Sequence, residues 1–215
     1  MRTGILGGTF DPPHVGHLLA ASDAYESLEL DRVVFVPAAQ QPLKALPKGL
    51  EAPGSGRASA PDRLEMVRLA IADDERFELS AIEIDRGGLS YTVDTLSELA
   101  EQSPGDTRFL LVGADVLGTF AKWRQPERVL ELATLAVFTR SVRDPGDAQA
   151  SWNRLAAQWE STHGHALAHA PVFVESRRVD VSSTEVRERV AGGRSIHGFV
   201  PDAVARYIAT RRLYS

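Results

Sequence analysis

Two histidines three positions apart, His14 and His17, close the run Gly7-Gly8-Thr9-Phe10-Asp11-Pro12-Pro13-His14-Val15-Gly16-His17. On a turn of helix that spacing puts both imidazoles on one face, where they can reach the same ligand. The run follows a short apolar segment, 3–6, that reads as a strand, and leads into Leu18-Leu19-Ala20-Ala21, which reads as a helix. A strand-to-helix turn aims free backbone N–H groups and the positive end of the helix dipole at one point, which makes it a natural seat for phosphate. Gly7 and Gly8 let backbone approach a ligand with no Cβ in the way. Singly, a Gly-Gly pair is only a turn and a histidine at a helix start only a cap; in register with an upstream strand they specify an anion site. No GxxxxGK[ST] occurs and the glycine pattern is not GxGxxG, so neither a P-loop nor an ordinary dinucleotide-binding turn is indicated.

A second cluster, Ser182-Ser183-Thr184-Glu185-Val186-Arg187, follows the strand-like residues 179–181 and begins a helix. Ser182 and Glu185 have the spacing of a capping box, which needs no ligand. The hydroxyl run is longer than a cap requires, however, and Thr184 and Arg187 share a helical face. A hydroxyl, helix N–H donors and a guanidinium then surround one anion-sized space. By contrast His163, His165 and His169 lie in a loop-like stretch without acidic or cysteine companions, so they read as solvated and no metal site is expected there.

The elements that must position these residues alternate. After a first helix ending near residue 28, Arg32-Val33-Val34-Phe35-Val36-Pro37 reads as a strand buried on both faces. Residues 38–60 are rich in proline and glycine and read as a mobile loop carrying Lys44. Helix is expected over 62–72, strand around Leu79, Ile82 and Ile84, helix from Tyr91-Thr92, and strand over 108–112 ending at Gly113-Ala114-Asp115. A helix over 127–132, a strand over 134–139, a turn at 143–146 and a helix carrying Trp152, Leu155 and Trp159 follow. A strand over 171–175 and helices over 185–191 and 201–210 complete the pattern. Such alternation predicts a three-layer α/β fold with a mostly parallel sheet, whose ligand lies at the carboxyl ends of the strands.

With 215 residues, 43% of them hydrophobic, the chain reads as one domain, 1–215. A net charge of −5 argues against nucleic acid and for a small anionic ligand held by local donors. Zero cysteines exclude thiolate chemistry and disulfides. No apolar stretch approaches membrane-spanning length and no signal region opens the chain, so a cytoplasmic protein without membrane contact is expected.

The first motif resembles the HxGH signature of the nucleotidyltransferase superfamily, and 182–187 resembles that superfamily's SSTxxR segment. Several segments are similar in order and spacing to one branch, the bacterial nicotinate mononucleotide adenylyltransferases of NAD biosynthesis. These are Gly-Gly-Thr-Phe-Asp-Pro, the loop 37–44, Ser90-Tyr91-Thr92-Val93-Asp94-Thr95-Leu96, Gly113-Ala114-Asp115 with Phe120 and Trp123, and the stretch from Val200-Pro201 to Leu213-Tyr214. Where that family commonly carries Pro-His-Lys, this chain has Pro42-Leu43-Lys44. The resemblance implies a Rossmann-like nucleotidyltransferase fold and transfer of AMP from ATP to nicotinate mononucleotide, with Mg²⁺ arriving on ATP. It implies catalytic roles for His14 and His17, and ATP or phosphate contacts at Gly8, Thr9, Phe10, Lys44, Gly113, Asp115, Ser182, Ser183, Thr184 and Arg187. Tyr91, Thr92 and Trp123 would receive the nicotinate nucleotide. A homo-oligomer is compatible with this reading, whereas nothing in the sequence specifies one.

Overall fold

Six strands form one sheet in the order β3-β2-β1-β4-β5-β6. They are β1 (Arg2–Gly8), β2 (Arg32–Pro37), β3 (Phe77–Leu79), β4 (Thr107–Gly113), β5 (Thr134–Thr139) and β6 (Val172–Glu175). The computed structural model describes residues 1–40, 57–139 and 145–215. Lys44 and residues 41–56 of the expected loop lie outside them. The registered pairs run parallel, with Gly4 opposite Phe109, Leu111 opposite Ala136 and Val137 opposite Phe173. Val33, Val34, Phe35 and Val36 are all buried, as are Phe109, Leu110, Leu111 and Val112. Continuous apolar runs of this kind belong in strands covered on both faces. The strand order reverses at β1, and in such α/β sheets ligands gather at the carboxyl ends near the reversal. β1 ends there on Gly7 and Gly8. The fold is α/β and Rossmann-like.

Helices separate the strands: α1 (Val15–Ser27), α2 (Ala60–Ile71), α3 (Ile82–Arg86), α4 (Thr92–Gln102), α5 (Pro126–Leu132), α6 (Pro145–His163), α7 (Ser183–Ala191) and α8 (Asp202–Arg211). Their ends follow local chemistry. Ser59 caps α2 by accepting the Asp62 N–H at 3.2 Å, with a proline in the first turn. The stripe Trp152, Leu155, Trp159 is the buried side of α6. That helix begins at Pro145, proline being favoured in a first turn; residues 143 and 144 of the turn expected at 143–146 lie outside the described residues.

Of two expected strands, the one around Leu79 forms but stops short, and the one at 179–181 does not form. Ile82 and Ile84 alternate like a strand, but β3 stops at Leu79, the Ser80 N–H donates to Phe35 O, and the Ser80 hydroxyl accepts the Ile82 N–H; the chain then makes the single helical unit α3. Residues 179–181 join no strand; Val181 packs against a helical core of Met66, Val186, Val200, Val204 and Ile208.

The chain packs as two compact units. One comprises Met1–Leu6, Ala20–Val33 and Tyr91–Arg178; the other comprises Gly7–Leu19, Val34–Ser90 and Val179–Ser215. Among the described residues, no helix is long and apolar enough to cross a membrane.

Candidate active site

The loop from Thr9 to His14 joins β1 to α1 within the second unit. Phe10 adopts φ 51°, a left-handed backbone rare for a residue with a side chain. Its ring is buried, 5.8 Å from Phe35 and edge-on to His17 at 5.0 Å. A Cβ on Gly8 would come within 3.0 Å of that ring, whereas one on Gly7 would meet open space. Gly8 therefore makes room for Phe10, whereas Gly7 borders open space.

His14 precedes α1 and His17 closes its first three residues. Their rings stack with centroids 3.7 Å apart, as the spacing predicts. The His14 N–H donates to His17 Nδ1 at 3.1 Å while the His17 N–H donates to His14 O at 2.9 Å. His17 thus takes the part that glutamate or glutamine plays in a capping box. Because Nδ1 accepts, the proton of neutral His17 sits on Nε2, which is left as a donor. Burial lowers the His14 pKa to about 4; burial, reinforced by neighbouring His14, lowers that of His17 to about 3. Both rings are uncharged at neutral pH. A Cβ on Gly16 would lie 3.0 Å from His14 Cε1 and Nδ1, so this glycine lets the His14 ring lie across the first turn of α1. His14 Nδ1 is buried with no hydrogen-bond partner among the described residues.

The second motif grips the first. Ser182 caps α7 by accepting the Glu185 N–H at 3.1 Å. Ser183 Oγ donates to Pro12 O at 2.8 Å, and Arg187 Nη1 donates to Asp11 O at 2.7 Å. Arg187 Nη2 also donates to Thr184 Oγ1 at 3.2 Å, so Thr184 and Arg187 do share a face. Two residues to which the sequence gives no role, Arg63 and Tyr214, hold the same loop. Arg63, buried on α2, donates to Thr9 O at 2.8 Å and to Ala39 O at 3.1 Å. Asp11, also buried, accepts from the Tyr214 hydroxyl at 2.7 Å. Burial and the Asp11 charge push the Tyr214 pKa far up, so the hydroxyl keeps its proton. An arginine in a helix reads as a solvated charge and a tyrosine after a helix as packing; no local signal distinguishes either.

In the first unit, β4 ends at Gly113 and the exposed Asp115 carboxylate folds back over it. Tyr91 is the N-cap residue of α4, which starts at Thr92 with no side-chain cap, so its first-turn N–H groups have no side-chain acceptor at the cap. The Arg124 guanidinium lies 4.9 Å above the Tyr91 ring and pairs with Asp94 at 3.3 Å. Trp123 is part-exposed, its ring 5.3 Å from buried Phe120. His163 stacks on Trp159 at 3.8 Å and His165 Nε2 lies 2.9 Å from Glu127 Oε1.

A cytidylyltransferase-like family model matches residues 5–189. A probable nicotinate-nucleotide adenylyltransferase of Gemmatimonas aurantiaca is 46% identical over 214 residues, covering 100% of this chain and 92% of the relative. One of Thermus thermophilus is 42% identical over 214 residues, covering 100% of each. Among solved structures, a Plasmodium falciparum nicotinic acid mononucleotide adenylyltransferase complexed with NaAD matches with a TM-score of 0.71 at 15% identity, over 99% of this chain and 97% of that one, a likeness of fold. With more than two-fifths identity along its full length, the chain belongs to the nicotinate-nucleotide adenylyltransferase family.

Proposed function

We infer that the chain transfers the adenylyl group of ATP to nicotinate mononucleotide, giving nicotinate adenine dinucleotide and pyrophosphate by direct in-line displacement. The observation that carries the mechanism is the uncharged, stacked His14/His17 pair with its Nε2 donor at the start of α1. A nucleotide 5′-phosphate has a second pKa of about 6, so the attacking oxygen is already ionised at neutral pH. No general base is needed. Catalysis then consists of aligning two polyanions and stabilising charge that moves onto the leaving pyrophosphate.

In this reading His14 and His17 donate to the α- and β-phosphates. Gly8, Thr9 and Phe10 present backbone to the nucleotide, and Lys44, Ser182, Ser183, Thr184 and Arg187 cradle the triphosphate. Ser183 contributes chiefly through its backbone N–H, since its hydroxyl donates to Pro12 O, whereas the Ser182 hydroxyl accepts the Glu185 N–H and keeps its own proton to donate. Gly113 and Asp115 receive the adenosine half, and Tyr91, Thr92 and Trp123 the nicotinate nucleotide. Mg²⁺ enters as part of the MgATP substrate, shielding phosphate charge. The donor set around His14 suits such a substrate, because the loop's own carboxylate, Asp11, is already engaged by Tyr214. The substrates are small molecules and the expected compartment is the cytoplasm.

Incubation of the protein with MgATP and a panel of nicotinate mononucleotide, nicotinamide mononucleotide, phosphopantetheine and a sugar phosphate tests this directly. Nicotinate adenine dinucleotide and pyrophosphate should form in equal amounts. Adenylylation of another acceptor, or binding without turnover, would replace the reading by a different transferase or a regulatory nucleotide-binding protein.

A further inference from the structure

We propose that Tyr214 is a positioning residue for the catalytic turn, acting through the side chain of Asp11. The inference rests on the function proposed above for its catalytic consequence and on geometry alone for its structural one.

The turn after α8 is built to carry the Tyr214 ring inward. Arg212 ends α8 in a left-handed conformation, φ 51°, and its N–H donates to Ala209 O while the Leu213 N–H donates to Ile208 O at 3.0 Å. That pair of bonds is a Schellman motif, made here by an arginine where glycine is usual. Tyr214 itself has φ 66°. Two side-chain-bearing residues in the left-handed region within three positions are costly, and such backbone persists only where the surroundings over-determine it. Here they do: the ring is buried in the cluster of Met66, Val204 and Ile208, and the hydroxyl donates to Asp11 Oδ1 at 2.7 Å across 203 positions of sequence.

Asp11 Oδ1 also accepts the Ala58 N–H at 3.0 Å, so one oxygen joins the catalytic turn, the residue preceding the α2 cap and the turn after α8. The other carboxylate oxygen lies 3.9 Å from Arg187 Nη1, and the Asp11 carbonyl accepts from that same guanidinium. Only Pro12 and Pro13 separate Asp11 from His14. Proline rings fix φ, leaving few soft torsions between them. Holding the Asp11 side chain therefore holds the backbone of His14, whose N–H orients His17 through Nδ1. The Tyr214 hydroxyl sets the imidazole pair without touching substrate.

Tyr214→Phe keeps the buried ring and removes the hydroxyl. At saturating substrates its kcat should fall on the order of 10- to 10²-fold, as expected for displaced catalytic groups, with both KM values within about twofold. In hydrogen exchange the His14 amide should open about tenfold faster while amides of α8, such as that of Ala205, keep their protection. Asp11→Asn, which retains an oxygen acceptor, should keep His14 protected, and Asp11→Leu should lose it. Unchanged kcat, unchanged His14 exchange, or faster exchange spread equally over α8 would each overturn the proposal, the last marking a merely structural role. Absence of adenylyl transfer in the unmodified protein would instead overturn the function, and the exchange comparison would still decide the positioning.

Discussion

His17 carries two duties on two ring nitrogens. Nδ1 accepts the His14 N–H and finishes the start of α1; Nε2 remains as a donor. Two substitutions can separate them. In His17→Gln the amide oxygen can take over the cap and the amide NH2 can still donate, so the fold should be nearly as stable at pH 7 and kcat should fall less than in His17→Ala. His17→Ala removes the donor, with kcat down on the order of 10²- to 10³-fold, and in addition about 1 kcal/mol of stability with the cap. Thermal melts beside steady-state kinetics separate the outcomes, and near-normal turnover of the alanine variant would remove the catalytic role. Trp123, part-exposed rather than core, admits a second test at this scale. If its face receives the pyridine ring, Trp123→Ala should lower kcat/KM for the acceptor and leave the KM for ATP nearly unchanged. With helix-start N–H groups at Thr92 as acid-binding donors, an amide acceptor would leave one donor facing another, at a cost of roughly 1–3 kcal/mol, so the acid should be preferred about tenfold or more. Equal kcat/KM for nicotinate and nicotinamide mononucleotides would reject that arrangement.

Among the elements, α7 combines a structural role with the ligand role proposed for it. Its cap, Ser182, accepts the Glu185 N–H and Ser183 donates to Pro12, which leaves Arg187, the first-turn N–H groups and the Ser182 hydroxyl proton able to meet an anion. Ser182→Ala should therefore cost about 1 kcal/mol of stability with little change in kcat. Arg187→Ala should behave differently. It removes a guanidinium from the proposed phosphate cradle and frees the Asp11 carbonyl, so the KM for ATP should rise well beyond twofold and kcat should also drop. A change in neither constant would detach α7 from the substrate. The same element explains a limit of sequence reading: the capping box and the Thr184/Arg187 face were both legible because each depends on spacing of three within one helix, whereas the bond from Ser183 to Pro12 spans 171 positions and has no local trace.

For the molecule as a whole, the buried imidazoles impose a pH dependence whose sign is set by their direction of shift. In the unfolded chain a histidine titrates near 6.5; in the fold His14 and His17 titrate at about 4 and about 3. Between those values the unfolded state binds more protons, so stability is fully present above about pH 6.5 and is lost as pH falls toward 4. Each ring can contribute a slope of up to about 1.4 kcal/mol per pH unit in that window. Denaturant melts from pH 7 to 4.5 should fall less steeply for His17→Gln than for the unmodified protein, and parallel curves would show that His17 does not titrate on unfolding. Below this window the carboxylates held down by partners, Asp62 by Ser59, Tyr207 and Arg211 against the opposing effect of burial, and Asp74 by Arg76, add a second loss as they protonate.

Sequence alone determined what neighbours a few positions apart can decide. The His14/His17 face, the Ser182 cap, the buried runs of β2 and β4 and the alternation that makes an α/β sheet all follow from local periodicity and turn chemistry. Tertiary structure decided what burial and distant partners control. It made Ile82–Arg86 a helical turn where alternation predicts strand, because β3 had already ended and Ser80 turned the chain. It assigned Gly8 to Phe10 and Gly16 to His14, since only folding brings those rings over the glycines. It also set the charge of the histidines, because desolvation is a property of the packed site, and brought Arg63 and Tyr214 to the turn between β1 and α1 through hydrogen bonds from residues remote in sequence.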